Sequence, residues 1–241
     1  MCVGDNIMAM KYKTELTLFN SYFDLNNRLS LKAVLSIFQD VAFIHAEEIG
    51  VGYKTCLDKN LYWVLSRVKL DIIRMPEINE VVLVETWPHE KGRIDFDRDM
   101  QILDENGNTL VKATSKWCVI DTVKRALQKA DDVNYNGECI KDVLYEGKFT
   151  KIILPKEEFS KSFDYTVRFS DLDHNGHMNN TNYANLVVSA IENKKISHFE
   201  INFINELKEG EKIEVEHRIT ENGEYVIGKE GEKTVFTAFT K

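Results

Sequence analysis

Proline is nearly absent, with three in 241 residues, which excludes a proline-rich stalk. No window approaches the ~18 consecutive apolar residues of a membrane-spanning helix. The N-terminus, Met1-Cys2-Val3-Gly4-Asp5, lacks the basic and apolar regions of a signal peptide. Met8 and Met10 follow closely, so residues 1–9 read as an upstream start or a leader without a structural role. Cysteine is sparse and scattered: Cys2, Cys56, Cys118 and Cys139 form no Cys-x-x-Cys and no regular spacing. With no signal peptide, this points to reduced thiols and a cytoplasmic location, and gives a structural metal no cysteine support. Positive charge is in deficit, 31 basic against 39 acidic residues or −8 net. Nucleic acid is therefore a poor default partner, although the balance leaves room for a local basic patch.

What is present suits a packed protein: 43% of residues are apolar and 29% charged. The length accommodates two domains of ~110–120 residues, and the chain repeats itself. At an offset of 149, Thr14, Leu16 and Leu18 fall on Phe163, Tyr165 and Val167, both at the period of a half-buried strand. After a polar loop, Val34, Leu35, Phe38, Val41 and Ala42 fall on Tyr183, Ala184, Val187, Ala190 and Ile191, each set one stripe of an amphipathic helix. Ser30 can cap the first helix, and Asn179 or Asn180 the second.

The first copy then carries about 18 extra residues, and the offset falls to 131. Val68, Leu70 and Ile72 now meet Phe199, Ile201 and Phe203; Val82, Val84 and Thr86 meet Ile213, Val215 and His217. At an offset of 125, Met100 and Ile102 meet Tyr225 and Ile227, and Val111 and Ala113 meet Phe236 and Ala238. Each copy reads as strand, helix, then four antiparallel strands. A sheet wrapped on one central helix buries that helix's stripe economically, which is the hotdog fold. The expectation is an α+β chain of two tandem hotdogs forming a pseudo-dimer with a continuous antiparallel sheet. Residues 10–125 make the first, 126–158 a charged linker and 159–241 the second.

The loop before the second helix, Ser170 to Tyr183, concentrates Asp, Asn and His beyond what turn chemistry requires. Asp24, Asn26 and Arg28 lie opposite Asp173, Asn175 and His177, and Met75 lies opposite Glu206. The first copy thus lacks both the His and the Glu. Arginine stays protonated, whereas histidine exchanges protons near neutral pH. His174 and His177 lack an assured third ligand, so no metal is expected. His198 and His217 lie on strands and read as structural; Tyr183, Trp63 and Trp87 read first as core, with Tyr183 also able to line a tunnel.

The run Asp171-Leu172-Asp173-His174-Asn175-Gly176-His177-Met178-Asn179-Asn180 resembles the Asp-Leu-Asp-x-Asn-x-His-x-Asn-Asn segment of the acyl-ACP thioesterases, the double-hotdog family of plant fatty acyl-ACP thioesterases and their bacterial relatives. Trp63-Val64-Leu65-Ser66-Arg67, Glu85-Thr86-Trp87 and Ala113-Thr114-Ser115-Lys116-Trp117 resemble further family segments in the same order. The resemblance implies hydrolysis of fatty acyl-ACP to free fatty acid and ACP, without a cofactor. It puts the catalytic residues at Asp173, Asn175, His177 and Glu206. It departs from plant members at Leu207, where they carry Cys.

On this reading water attacks the thioester with help from His177 and Glu206. Asn175 orients water or polarises the carbonyl, and Asp173 holds the loop or fixes the His tautomer. Glu206 as a nucleophile is the alternative route. Asn179, Asn180 and Tyr183 are candidate substrate-binding residues. Arg67, Lys69 and Arg74, with Lys194 and Lys195, are candidate docking residues for the acidic carrier at a shared tunnel mouth. Acyl-CoA hydrolysis, a hotdog hydratase or dehydratase, and a non-catalytic acyl-binding regulator are the competing functions. A homodimer is compatible with the sequence.

Overall fold

The computed structural model describes residues 10–130, 133 and 139–241. The proposed leader, residues 1–9, lies outside the described residues, as do residues 131, 132 and 134–138 of the linker. The first half runs β1 (Tyr12–Thr17), α1 (Leu31–Glu48), α2 (Tyr53–Asp58), β2 (Leu61–Ile72), β3 (Val81–Pro88), β4 (Phe96–Leu103) and β5 (Thr109–Asp121), followed by the short β6 (Ala126–Leu127). The second runs β7 (Ser160–Thr166), α3 (Asn180–Ala190), β8 (His198–Phe203), β9 (Lys212–Thr220), β10 (Gly223–Glu230) and β11 (Lys233–Thr240). The strands form one antiparallel sheet in the order β1-β3-β4-β5-β2-β8-β11-β10-β9-β7, with β6 paired to β5. This is the continuous sheet of two hotdogs. The extra residues of the first half supply α2.

The halves join through β2 and β8, with Arg67 opposite Asn202, Lys69 opposite Glu200 and Asp71 opposite His198. Lys69 and Glu200 are also equivalent in the repeat, so the pseudo-two-fold axis passes between them. Val68, Leu70, Phe199 and Ile201 point to the helix side and are buried in one core with Val34, Phe38, Tyr183 and Val187. The helices begin as the sequence suggests. Ser30 accepts a hydrogen bond from the Ala33 amide, and Asn179 accepts one from the Thr181 amide. Each occupies an N-cap.

The opposite face of the sheet carries the linker. The Trp87 indole donates to the Asp142 carbonyl, the Leu144 amide to Asp99, the Tyr145 hydroxyl to the Lys112 carbonyl and the Arg67 guanidinium to the Phe149 carbonyl. This segment therefore crosses β3, β4, β5 and β2 in turn, satisfying its own polar groups on the sheet's side chains.

The two halves differ from a constant offset at β10. Val84 pairs with Ile102 in the first half, whereas Val215 pairs with Gly228 in the second. The inward partners of Met100 and Ile102 are therefore Val226 and Gly228, one residue beyond Tyr225 and Ile227. A one-residue slip exchanges the two faces of a strand. Gly228 hides the alternation because it has no side chain. The Phe236 ring and Ile213 fill the space where its Cβ would stand. Tyr225 instead meets the Phe239 ring, with centroids 4.7 Å apart. Gly228→Ala is expected to cost about 1–3 kcal/mol through overpacking, read as a lower urea midpoint with an unchanged m-value.

Candidate active site

The strand-to-helix loops of both halves fold alike. Asp24 Oδ1 accepts from the amides of Asn26 at 2.8 Å and Arg28 at 3.0 Å; Asp173 Oδ1 accepts from those of Asn175 at 2.8 Å and His177 at 3.3 Å. The Asp24 amide donates to the Arg28 carbonyl and the Asp173 amide to the His177 carbonyl, each at 2.8 Å. Asn27 and Gly176 occupy the same left-handed corner, at φ 54° and 77°, where Asn and Gly are the tolerated residues. Asp173 therefore closes its loop just as Asp24 does in the half without the His.

On this shared frame the second loop alone carries a His, and Glu206, just past β8, meets it. His177 Nε2 lies 3.3 Å from Glu206 Oε2, with the imidazole 23% and the carboxylate 53% exposed. The pair is thus open to water. His177 Nδ1 is buried without a partner among the described residues. Asp173 spends its Oδ1 on amides and sets no tautomer through that nitrogen.

The first half completes the constellation. Asn175 Nδ2 donates to the Tyr62 hydroxyl at 3.1 Å, and the His174 ring meets Tyr53 of α2 edge-on, with centroids 5.2 Å apart. Burial, then the negative charges of Asp173 and Glu206, push the Tyr62 phenol up to about 12. It therefore keeps its proton and remains a donor. Tyr62 is not legible from the sequence as a site residue. It lies 113 residues before Asn175, and its one cue is its place directly before Trp63-Val64.

The other candidates separate by structure. Asn179 is the helix cap, with Oδ1 accepting from both the amide and the hydroxyl of Thr181. Asn180 and Thr181 line a narrow cavity of about 20 Å³ that reaches over Leu65 and Phe203 to Phe38, Met100 and Trp117. The first half thus supplies most of its wall. Tyr183 is core, edge-on to Phe203 and Phe236. Leu207 is fully buried, and its carbonyl accepts from the Met178 amide. Where the resemblance puts the Cys of plant members, this chain therefore packs a core side chain.

The basic residues do not gather beside His177. Arg67 and Lys69 lie on the linker side of the sheet, because β2 alternates and Val68 and Leu70 take the helix side. Arg67 is bonded to Phe149, while Lys69 pairs with Glu200 at 3.5 Å. Arg74 pairs with Glu80. Lys194 sits beside the first loop, its carbonyl accepting from the Arg28 guanidinium at 2.7 Å; Lys195 follows it, exposed. The pseudo-two-fold axis explains the separation. Tyr62 and Glu206 flank one end of the β2–β8 pair, and Met75 and Lys194 the other. The five basic residues therefore share no mouth beside the His177 loop.

Two hotdogs on one sheet, with His177 and Glu206 meeting at one loop and neither present at its twin, define a double-hotdog protein with a single equipped site. The acyl-ACP thioesterase N-terminal domain model matches residues 9–136 and the C-terminal domain model residues 155–237. The chain belongs to the acyl-ACP thioesterase family. It is 28% identical over 213 residues to oleoyl-acyl carrier protein thioesterase 2, chloroplastic, of Arabidopsis thaliana, covering 81% of this chain and 58% of that protein. It is 31% identical over 176 residues to the palmitoyl-acyl carrier protein thioesterase, chloroplastic, of the same plant, covering 67% of this chain and 42% of that one. The chain thus spans less than two thirds of these curated relatives. An acyl-ACP thioesterase structure from Bacteroides thetaiotaomicron superposes with a TM-score of 0.84 at 23% identity, over 96% of this chain and 97% of that one. The 12:0-ACP thioesterase from Umbellularia californica gives 0.83 at 22%, over 97% of each chain. Both structures share the whole fold. Among the described residues, no helix is long and apolar enough to cross a membrane.

The twin loops make a paired test. Asp24→Ala and Asp173→Ala each remove the acceptor for two amides. Each is expected to cost about 0.5–1.5 kcal/mol, read as similar falls in thermal midpoint.

Proposed function

We propose that this protein hydrolyses fatty acyl thioesters of acyl carrier protein, releasing a fatty acid and the carrier thiol. The observation that carries this is the 3.3 Å contact from His177, on one of two loops with matching backbones, to Glu206. The curated relatives bear acyl carrier protein thioesterase names, which supports the carrier and the reaction class.

A thioester is already activated, so the site must supply an oxygen nucleophile and stabilise the oxyanion. Water bound beside the His177–Glu206 pair gives up a proton to it as its oxygen bonds to the carbonyl carbon. The π electrons move onto the carbonyl oxygen. Collapse of this intermediate restores C=O, breaks C–S and returns the proton to the departing sulfur. The Asn180 amide, first of α3 and unpaired within the helix, is a donor for the oxyanion; the Asn175–Tyr62 pair is the second polar group facing the reaction. Leu207 leaves the position without a thiol, which favours water over a cysteine nucleophile. The apolar cavity at Asn180 leads the acyl chain into the first half, past Phe38. Its small volume means that these side chains must part to admit a long chain.

His177→Ala and Glu206→Ala are each expected to lower kcat by at least about 100-fold, measured as thiol release from acyl-ACP. Near-normal turnover in either folded variant places the chemistry elsewhere. Parallel assays with acyl-CoA and enoyl thioesters separate the carrier and exclude a hydratase. Tyr62→Phe should reduce kcat about ten-fold, the scale of one lost hydrogen bond. Phe38→Ala should shift preference among an acyl-ACP chain-length series while leaving the best substrate's kcat within about three-fold; an unchanged profile would remove the first half from the acyl path.

A further inference from the structure

The narrow acyl cavity has a counterpart at the other end of the sheet. A pocket of about 230 Å³ opens beside the first loop, between α1, α3 and the β2–β8 pair. The repeat relates the two walls at several positions. Ile72 stands for Phe203, Ile196 for Leu65, and Lys32 for Thr181. The pocket exceeds the ~150 Å³ cavity that admits a benzene ring, so it has room for an alkyl segment. Its deeper wall, Leu29, Ile72, Met75 and Ile196, is apolar.

The rim is cationic. Arg28, Lys32 and Lys194 line it together with a single acid, Asp24. The Asp24 Oδ1 is already committed to the Asn26 and Arg28 amides. Arg28 Nη1 is held by the Lys194 carbonyl, and the Lys194 ammonium by the carbonyls of Val188 and Ile191. Among the described residues neither cation meets a carboxylate. Substitution of the His by Arg and of the Glu by Met removes both the base and the acidic charge that would repel an anion. A guanidinium also presents paired donors that match a carboxylate.

We infer that this pocket is a second, non-catalytic binding site for a fatty carboxylate, with the head group on Arg28 and Lys194 and the chain against Met75 and Ile72. The ligand class rests on the hydrolase reading, since a fatty carboxylate is that reaction's product. The site itself rests on the volume, the apolar wall and the unneutralised rim.

The test is calorimetric titration of the full chain with dodecanoate below its micellar range, beside dodecanol and acetate, with thiol release from acyl-ACP measured in parallel. Arg28→Ala should weaken one dodecanoate-binding event at least about ten-fold, and Arg28→Lys should weaken it less, because it keeps the charge but not the paired donors. Ser189→Phe, which fills the exposed rim without entering the core, should abolish that event. Thiol release should be unchanged in all three. Dodecanol and acetate should each fail to reproduce the Arg28-dependent event, because it needs both head and chain. Identical dodecanoate isotherms in wild type, Arg28→Ala and Ser189→Phe would overturn the inference, as would acetate binding as tightly as dodecanoate. Hydrolysis without Arg28-dependent binding removes this site alone. Arg28-dependent binding without hydrolysis of any acyl thioester supports the site and overturns the catalytic reading.

Discussion

The antiparallel pairing of β2 with β8 is the constraint on which the rest depends. Left apart, each half would expose an edge strand with unpaired amides and carbonyls. Joined, they make one sheet and fix the pseudo-two-fold axis between Lys69 and Glu200. The junction is cemented on its polar face. Lys69 pairs with Glu200, and His198 bonds to Asp71 at 2.6 Å and Glu200 at 3.1 Å. Burial alone would lower the His198 pKa, but these carboxylates outweigh it and hold the imidazole above its ordinary range. The same junction carries each loop to a strand end of the other half, so Asn175 reaches Tyr62 and Arg28 reaches Lys194.

This crossing accounts for the division of labour. Each loop needs the opposite half to finish its walls, and the two opposite halves differ. Beyond α1 the first half offers α2, Tyr53 and Tyr62; beyond α3 the second offers a short connection through Lys194 and Lys195. One end therefore receives aromatic hydroxyls beside His177 and Glu206. The other receives cations beside Arg28 and Met75. The backbone frame, held by Asp24 or Asp173, is unaffected by which chemistry it carries.

Sheet faces are equally specialised. The helix side packs both apolar stripes in one core, and the linker side is a field of charges crossed by residues 139–149. A basic residue on β2 is therefore not free merely because it is charged. Arg67 serves the Phe149 carbonyl, and Lys69 stands over the Tyr145 ring at 5.0 Å while pairing with Glu200. Buried charge recurs within the first half, where Arg98 shares its guanidinium between His45 Nδ1 and the Thr86 hydroxyl. Burial, then the nearby Arg98 charge, lowers the His45 pKa to about 4, so His45 remains the neutral acceptor this contact requires.

By itself the sequence determined the two halves, their element order, the Ser30 cap and the loop that carries His177, and narrowed the second cap to Asn179 or Asn180. These are local: strand and helix periods, capping chemistry and a dense Asp-Asn-His run all act within a few residues. The resemblance also led to Glu206, which the fold brings to His177. Tertiary structure decided what depends on crossing distances. Tyr62 joins Asn175 through the β2–β8 junction, a relation no local period encodes. The inward register of β10 was obscured by Gly228, whose missing side chain is filled by the Phe236 ring. Charge in the sequence marked Arg67, Lys69, Arg74, Lys194 and Lys195 but not their faces. Strand alternation turned Arg67 and Lys69 toward the linker, and the pseudo-two-fold axis carried Lys194 to the end of the sheet opposite His177.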